Sequence, residues 1–207
     1  MARTTDDARR WVRTGQELLD AAVAGLDEES FSAPSLLPGW TRRHLVAHLA
    51  GNAEALGNLA TWAATGVETP MYASAEERAA GIERGARMSA AELAGWQARA
   101  AAALDQGLHE LGEEEWGRDV RTAQGRLLPA TEIPWLRARE VLVHAVDLDL
   151  GTRFADLPAD FLEALVADIT ARRGEVPSVE GPLPEVAAWL AGRPHALTDA
   201  PDLGPWL

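Results

Sequence analysis

The stretch that decides the fold of this chain runs from Pro134 to Leu150 and reads PWLRAREVLVHAVDLDL. It predicts a helix, because proline is tolerated in the first helical turn and aliphatic residues then recur at helical spacing. Glu140 and His144 lie four residues apart, so their side chains share one helix face, with about 5–6 Å between Cβ atoms. Among leucines and valines, a carboxylate and an imidazole are costly to bury unless a partner such as a divalent metal engages them. A simple hydrogen bond between the two side chains on a half-exposed helix is the plainer alternative.

The composition is that of a globular protein without cysteine chemistry. The chain has 207 residues, of which 47% are hydrophobic and 25% charged, enough for a full core. No apolar run reaches the roughly 18 residues of a membrane span, and residues 1–10 form no secretory core, so we expect a cytoplasmic protein. Because the chain contains 0 cysteines, it supplies neither a thiolate ligand nor a sulfur nucleophile. A metal site would therefore use histidine and carboxylate.

The charge pattern favours small anionic ligands over nucleic acid. A formal net charge of −13 argues against a nucleic-acid partner. Lysine is absent from the sequence, so arginine supplies all of the permanent positive charge. An anionic ligand would thus be bound by guanidinium groups, which can grip carboxylates through two hydrogen bonds.

Four long amphipathic segments predict a four-helix bundle. The first begins at Thr5 or Asp6 and ends near Gly25, with an expected buried stripe of Trp11, Leu18, Ala22 and Leu26. The second follows the N-cap Thr41 and ends near Gly66, with Leu45, Leu49, Leu56 and Leu59 on its buried face. The third opens on the capping box SAAE at Ser89–Glu92, and the fourth is Pro134–Leu150. We expect a mainly all-α protein.

Between these helices lie two shorter features, and a change of composition follows the last one. A short helix is predicted after Ser74, and residues 116–129 form either a hairpin turning near Gln124 and Gly125 or an ordered loop. From Thr152 onwards the composition shifts, and a link rich in proline and glycine separates the two helical segments predicted there. We therefore assign residues 1–151 to the bundle, and residues 152–207 to a C-terminal segment of two short helices and a tail.

A third candidate metal ligand lies on the second helix. His48 falls between Leu45 and Leu49 on the buried face, where a lone histidine is usually a satisfied core residue. In helical bundles, however, metal sites form from side chains on facing helices. His48, Glu140 and His144 together would give three nitrogen and oxygen ligands with one position open, the pattern of a catalytic metal site.

Several motifs resemble those of one enzyme family. They are LPGWTRRHLVAHLAG from Leu37, MYASAEER from Met71, EIPWLRAREVLVHAVDL from Glu132, and WLAGR from Trp189. Together they resemble the mycothiol-dependent maleylpyruvate isomerases, members of the DinB-like superfamily of metal-binding helical bundles. The resemblance is close over about residues 4–150 and looser beyond. The first and third motifs recur across the superfamily, so they indicate the fold more strongly than the substrate.

The resemblance implies roles for individual residues. It places His48, Glu140 and His144 at the three metal-ligand positions and implies that the metal is zinc. It places Arg78 on an arginine that the family uses near the substrate, and Arg193 on an arginine from the family's C-terminal domain. Family members usually carry a small α/β domain before the WLAGR segment, whereas only a short link separates Gly174 from Glu185 here. The C-terminal extension is therefore expected to be reduced, which weakens the assignment of Arg193.

The resemblance also implies a reaction and a second cofactor. The family converts maleylpyruvate to fumarylpyruvate by adding a sulfur nucleophile, rotating the resulting single bond and expelling the sulfur. A chain with 0 cysteines must take that sulfur from a small thiol, here mycothiol. Partners would then be a dicarboxylate substrate and a low-molecular-weight thiol, with no nucleic acid and no membrane.

Other interpretations stay open at the level of sequence. Asn52 and Asp147, each about one turn beyond a histidine, could orient an imidazole, although solvated surface positions explain both more simply. Arg78 and Arg193 could likewise be surface residues. A mycothiol S-transferase on the same bundle is the alternative enzyme. A bundle that holds metal without catalysis and acts as a binding or regulatory module is the alternative outside enzymes.

Overall fold

The protein is mainly helical in the computed structural model, which describes residues 3–204 and 206. Its helices are α1 (Thr5–Ala24), α2 (Glu28–Ser32), α3 (Arg42–Thr65), α4 (Ala75–Gly85), α5 (Ala90–His109), α6 (Glu113–Trp116), α7 (Ile133–Asp147), α8 (Ala159–Arg173) and α9 (Leu183–Leu190). Strands β1 (Asp119–Arg121) and β2 (Leu127–Pro129) pair antiparallel, which confirms the hairpin. The expected all-α architecture is confirmed.

Four long helices form the bundle within the compact unit Thr5–Leu150. Helix α3 packs against α5 on one side and α7 on the other, and α1 completes the ring by contacting α7 and α5. The four leucines predicted for the buried face of α3, Leu45, Leu49, Leu56 and Leu59, are all fully buried. Pairing α3 with α7 places the predicted ligands of both helices in one core.

The buried stripe of α1 differs from the predicted one. The structure buries Trp11, Gly15, Leu19 and Val23, whereas Leu18 and Ala22 are only partly buried. Gly15 explains the shift, since a Cβ at this position would lie 2.4 Å from Val141 Cγ2. The absence of a side chain lets α1 approach α7 closely there. A pattern search for large apolar residues overlooks a glycine that marks such a contact.

Local capping sets the ends of the helices that carry the site. Thr41 precedes α3, and its hydroxyl lies 2.7 Å from His44 Nδ1. Gly66 ends the same helix with φ 72°, a left-handed conformation that glycine adopts without steric cost. Ser89 and Glu92 form the predicted capping box of α5, and Ser74 caps α4. These ends fix the length of each helix around the cavity described below.

An arginine links the start of α3 to the end of α7. Arg42 donates from Nε to the carbonyl of Leu148 (2.7 Å) and from Nη2 to the carbonyl of Asp149 (2.9 Å). A guanidinium placed at the C-terminal carbonyls also interacts favourably with the helix dipole. The link holds the first turn of α3, one turn before His48, against the last turn of α7, which carries His144.

The second compact unit consists mainly of Gly151–Leu207. Within it α9 packs against α8, and Arg173 at the end of α8 donates to the carbonyls of Leu203 (2.7 Å) and Gly204 (2.9 Å). The tail is thereby tied to α8. The division of the chain at residues 151 and 152 into separate domains stays a prediction. Among the described residues, no helix combines the length and the apolar character needed to cross a membrane.

Candidate metal centre and its cavity

The three predicted ligands come together in the core of the bundle. His48 projects from α3, and Glu140 and His144 project from one face of α7, with one potential ligand atom of each within 4.8 Å of the others. Glu140 Oε2 lies 2.9 Å from His48 Nε2 and 3.3 Å from His144 Nε2. The two imidazole rings meet edge to face, with centroids 5.1 Å apart. The carboxylate therefore lies between the two imidazoles.

Burial and hydrogen bonding shift the pKa of each group in this triad. Burial lowers the pKa of His48 below 6.5, although Glu140 opposes the shift. Burial also lowers the pKa of His144, but hydrogen bonds to Asp147 and Glu140 outweigh it and raise the pKa above 6.5. Burial alone would raise the pKa of Glu140, yet the hydrogen bonds from His144 and His48 hold it well below 4.5. Glu140 is consequently an anion at neutral pH.

The donor set fits a divalent cation. Two imidazoles and one carboxylate are the ligands used by three-residue catalytic metal sites. The histidine side chains are 8% and 3% exposed, and that of Glu140 is 14% exposed, so the carboxylate side of the triad faces open space. Two buried imidazoles and a partly exposed carboxylate that converge on one point suit a metal that keeps a position for an exogenous ligand.

Asp147 lies directly behind the triad. Its Oδ2 is 2.7 Å from His144 Nδ1, and its side chain is fully buried. The interpretation of Asp147 as a solvated surface residue is therefore wrong. A carboxylate at Nδ1 keeps the Nε2 lone pair of a neutral His144 directed towards Glu140 and the ligand position.

Arg78 reaches the triad from α4. Its Nη2 lies 3.3 Å from His48 Nδ1, and its guanidinium stands 5.9 Å above the ring centroid of Tyr72. Because arginine only donates, this contact places the ring proton of His48 on Nε2, directed at Glu140. Trp40 packs against the same histidine with ring centroids 5.7 Å apart. Arg78 is half-buried at the cavity, so the surface alternative does not describe it.

Asn52 has a different neighbour from the one predicted. Its Oδ1 accepts a hydrogen bond from Arg137 Nη1 (2.9 Å), and the same nitrogen donates to the carbonyl of Leu49 (2.8 Å). The second nitrogen of His48 faces Arg78 rather than Asn52. The geometry thus gives no support to the predicted orienting contact, although Asn52 is buried and not a solvated surface residue.

Two cavities meet at His48. The larger, of about 580 Å³, is bounded by α3, α7, the start of α4 and the hairpin turn; it is lined by residues including His48, Asn52, Tyr72, Arg78, Gln124 and Glu140. The second, of about 320 Å³, runs between α3 and α4 as far as Trp96 and shares His48, Tyr72 and Arg78 with the first. Glu54, Asn58 and Glu77 give this second cavity polar groups. Two ligands could therefore reach His48 from different directions.

Arg193 belongs to the second compact unit. It follows α9, where its backbone N–H donates to the carbonyl of Ala188 (2.9 Å) and its Nη1 donates to that of Ala191 (2.7 Å). Its side chain is buried, so it is not a surface arginine. A substrate-binding role for Arg193 stays a prediction.

Two residues near the triad, one in the cavity and one behind it, were not assigned a role from the sequence. Tyr72 lies in the MYASAEER motif, and burial raises its pKa above 10, so its phenol is neutral at physiological pH. Arg137 lies three residues before Glu140, a spacing that places both side chains on one face of α7. That spacing was the available signal for Arg137. For Tyr72 the only sequence signal was weak, namely its position in a loop before a capped helix.

Comparisons with known proteins agree with this geometry. A family model described as the mycothiol maleylpyruvate isomerase N-terminal domain matches residues 4–149. Solved structures of the mycothiol-dependent maleylpyruvate isomerase and of a histidine-to-alanine mutant of it are each 34% identical to this chain. Each match has a TM-score of 0.92 and covers 99% of this chain and 98% of the other. No curated protein sequence gives a significant match.

The fold and the site together define a class: all-α proteins in which a four-helix bundle gathers potential metal ligands at the end of a cavity. The chain belongs, within that class, to the mycothiol maleylpyruvate isomerase family. The structural match also extends through the C-terminal segment, so the solved isomerase has a counterpart of α8 and α9. The expected reduction of this segment relative to other family members stays a prediction.

Proposed function

We propose that this protein is a metal- and mycothiol-dependent cis–trans isomerase that converts maleylpyruvate to fumarylpyruvate in the cytoplasm. The observation that carries the proposal is the His48–Glu140–His144 triad at the end of a cavity, in a chain 34% identical to a mycothiol-dependent maleylpyruvate isomerase. The S-transferase and the non-catalytic module have no comparable support.

His48, Glu140 and His144 would hold one divalent metal ion, for which zinc suits the ligand set. When bound, the metal would lower the pKa of a thiol ligand so that a thiolate forms near neutral pH. Asp147 would orient His144 through its Nδ1 contact of 2.7 Å. Arg42 would keep the two ligand-bearing helices in register through its bonds to Leu148 and Asp149.

The thiol must come from outside, since the chain has 0 cysteines. Thiolate addition to a carbon of the conjugated double bond leaves a single bond that can rotate. Expulsion of the same thiolate then restores the alkene in its trans form, with no net consumption of thiol. We assign the cavity between α3 and α4 to the body of the thiol, because its carboxylates and amide suit a hydroxyl-rich molecule and it reaches His48.

The substrate carries two carboxylates and enters a protein with a net charge of −13, so it needs local positive charge. Arg78 supplies a guanidinium beside the triad, and a guanidinium can bind a carboxylate through two hydrogen bonds. Arg193 is the second candidate from the family resemblance. The larger cavity would hold the substrate with its double bond near the sulfur.

The test is to follow maleylpyruvate isomerisation by the zinc-loaded protein with and without mycothiol, alongside His48→Ala. We expect turnover only with mycothiol, no loss of free thiol over many turnovers, and little activity in the variant. Wild-type protein that ignores maleylpyruvate while consuming mycothiol with other electrophiles would instead identify a transferase. Protein that purifies without metal and binds none would favour the non-catalytic module.

A further inference from the structure

Arg137 fixes the orientation of the Asn52 side chain. Arg137 is only 1% exposed, and burial lowers its pKa to about 10, so the guanidinium is still charged at neutral pH. A guanidinium has five N–H donors and no acceptor. The atom of the Asn52 amide that lies 2.9 Å from Arg137 Nη1 must therefore be the oxygen.

The Asn52 amide nitrogen is consequently directed away from Arg137. Asn52 is 5% exposed and lines the cavity of about 580 Å³ together with His48, Arg78 and Glu140. Within the described part of the chain, Asn52 Nδ2 makes no hydrogen bond, yet it is not sealed from the cavity. A buried amide with a fixed, unused N–H group is poised to donate to a ligand.

We propose that Asn52 is a substrate-contacting residue, whose Nδ2 donates a hydrogen bond to a carboxylate oxygen of the dicarboxylate bound in this cavity. The assignment rests on the proposed function. Asn52 on α3 and Arg78 on α4 approach the cavity from different helices, so together they would offer two donors to an anion. The donors also offset the negative charge of Glu140, which lines the same cavity.

The substitution Asn52→Asp separates this role from a structural one. Aspartate has the shape of asparagine and still accepts from Arg137, now as an ion pair. It lacks the N–H group, however, and turns a carboxylate oxygen towards the ligand. A residue that serves only as the partner of Arg137 would tolerate the change, whereas a donor to an anion would not.

Gln16→Glu is a matched control. Gln16 Oε1 lies 3.3 Å from Arg137 Nη2, so this variant makes the same amide-to-acid change beside the same guanidinium. Gln16 lies on α1 and lines a separate cavity between α1 and α5. The control therefore reproduces the added charge at Arg137 without placing it in the substrate cavity, although it also removes the hydrogen bond that Gln16 Nε2 donates to Asp20 Oδ1 (2.7 Å).

The experiment measures maleate binding by calorimetry to the zinc-loaded wild type, Asn52→Asp and Gln16→Glu, together with zinc content and melting temperature. We expect Asn52→Asp to bind maleate about tenfold or more weakly, with zinc content and melting temperature preserved, and Gln16→Glu to match the wild type in maleate affinity and zinc content. Maleate affinity within about twofold of wild type in Asn52→Asp, zinc loss in that variant, or no binding by the wild type would overturn the proposal. Wild-type protein that binds maleate but does not isomerise maleylpyruvate would refute the proposed function and not the Asn52 contact.

Discussion

At the scale of single residues, the two histidines of the triad differ in their surroundings although both are buried. His144 has carboxylates at both nitrogens, Asp147 at Nδ1 and Glu140 at Nε2. His48 has a carboxylate at Nε2 and the guanidinium of Arg78 at Nδ1. The first environment favours the imidazolium and the second the neutral ring. We therefore expect protons to compete with the metal mainly at His144.

The pH dependence of metal affinity follows from this difference. The pKa of His144 is raised above 6.5, so lowering the pH protonates this ring before His48, whose pKa is lowered, and before Glu140. We expect zinc affinity to start falling at a pH above 6.5 and to lose one decade per pH unit below the pKa. Competition titrations with a chromophoric chelator between pH 5.5 and 8.5 would measure it. Asp147→Asn should move the onset to lower pH, and an unchanged onset would contradict the assignment to His144.

The prediction for Arg78 also follows from the tautomer of His48. A His48 that ligates metal through Nε2 carries its proton on Nδ1 and can no longer accept from Arg78, which leaves the guanidinium available to a ligand. Arg78→Ala should therefore retain zinc and reduce kcat/KM for maleylpyruvate by about 2–4 kcal/mol in transition-state stabilisation. Arg87→Ala removes the same charge from an exposed position just beyond α4 and should have little effect. Equal kinetics for the two variants would remove Arg78 from the site.

At the scale of helices, the sequence predicted most features that depend on neighbouring residues, namely helix ends and shared helix faces. Thr41, Ser89 and Gly66 set helix ends because capping and left-handed conformations depend on neighbouring residues. The Glu140–His144 pair was predictable because a spacing of four residues defines a helix face. Contacts between different helices were harder to predict from the sequence. Gly15 sets the packing of α1 through a close approach to Val141, and Arg137 binds Asn52 across the bundle. The spacing of Arg137 from Glu140 places it on their shared helix face, but neither of these contacts between helices can be read from local spacing.

The cavity between α3 and α4 offers a prediction at the same scale. A Cβ built at Gly51, which lines this cavity, would contact nothing within 4 Å, so Gly51→Leu should fill open space without displacing the bundle. If the thiol body binds there, KM for mycothiol should rise about tenfold or more, while zinc binding and maleate affinity stay near wild type. Gly57→Leu is the control, because Gly57 also lies on α3, a Cβ placed there would likewise meet nothing within 4 Å, and it does not line the cavity. A normal KM for mycothiol in Gly51→Leu would place the thiol elsewhere.

At the scale of the whole molecule, the bundle concentrates its buried charge around the triad. The α3–α7 contact, where apolar side chains would otherwise pack, holds four buried polar residues, His48, Arg137, His144 and Asp147, and the mostly buried Glu140. Buried charges are costly unless they are paired. The sequence predicted that His48, Glu140 and His144 come together. It did not predict the surrounding network, because Arg137 and Asp147 could equally have been surface residues of an amphipathic helix. A metal ion bound by His48, Glu140 and His144 would further offset the free-energy cost of burying these charged and polar groups.

Metal binding should therefore stabilise the whole fold, and more strongly at higher pH. Zinc held 100-fold above its dissociation constant adds about 2.7 kcal/mol by mass action, or about 5–10 °C in melting temperature for a chain of this size. In metal-free protein, the raised pKa of His144 contributes stability that is present below pH 6.5 and lost as the pH rises through the folded-state pKa. Zinc requires the neutral ring, so its contribution grows over the same range. Thermal melts of chelated and zinc-loaded protein should thus differ more at pH 8 than at pH 6, whereas His144→Ala should show little difference at either pH. Coincident curves for wild-type protein with zinc demonstrably bound would mean that the site is not coupled to folding.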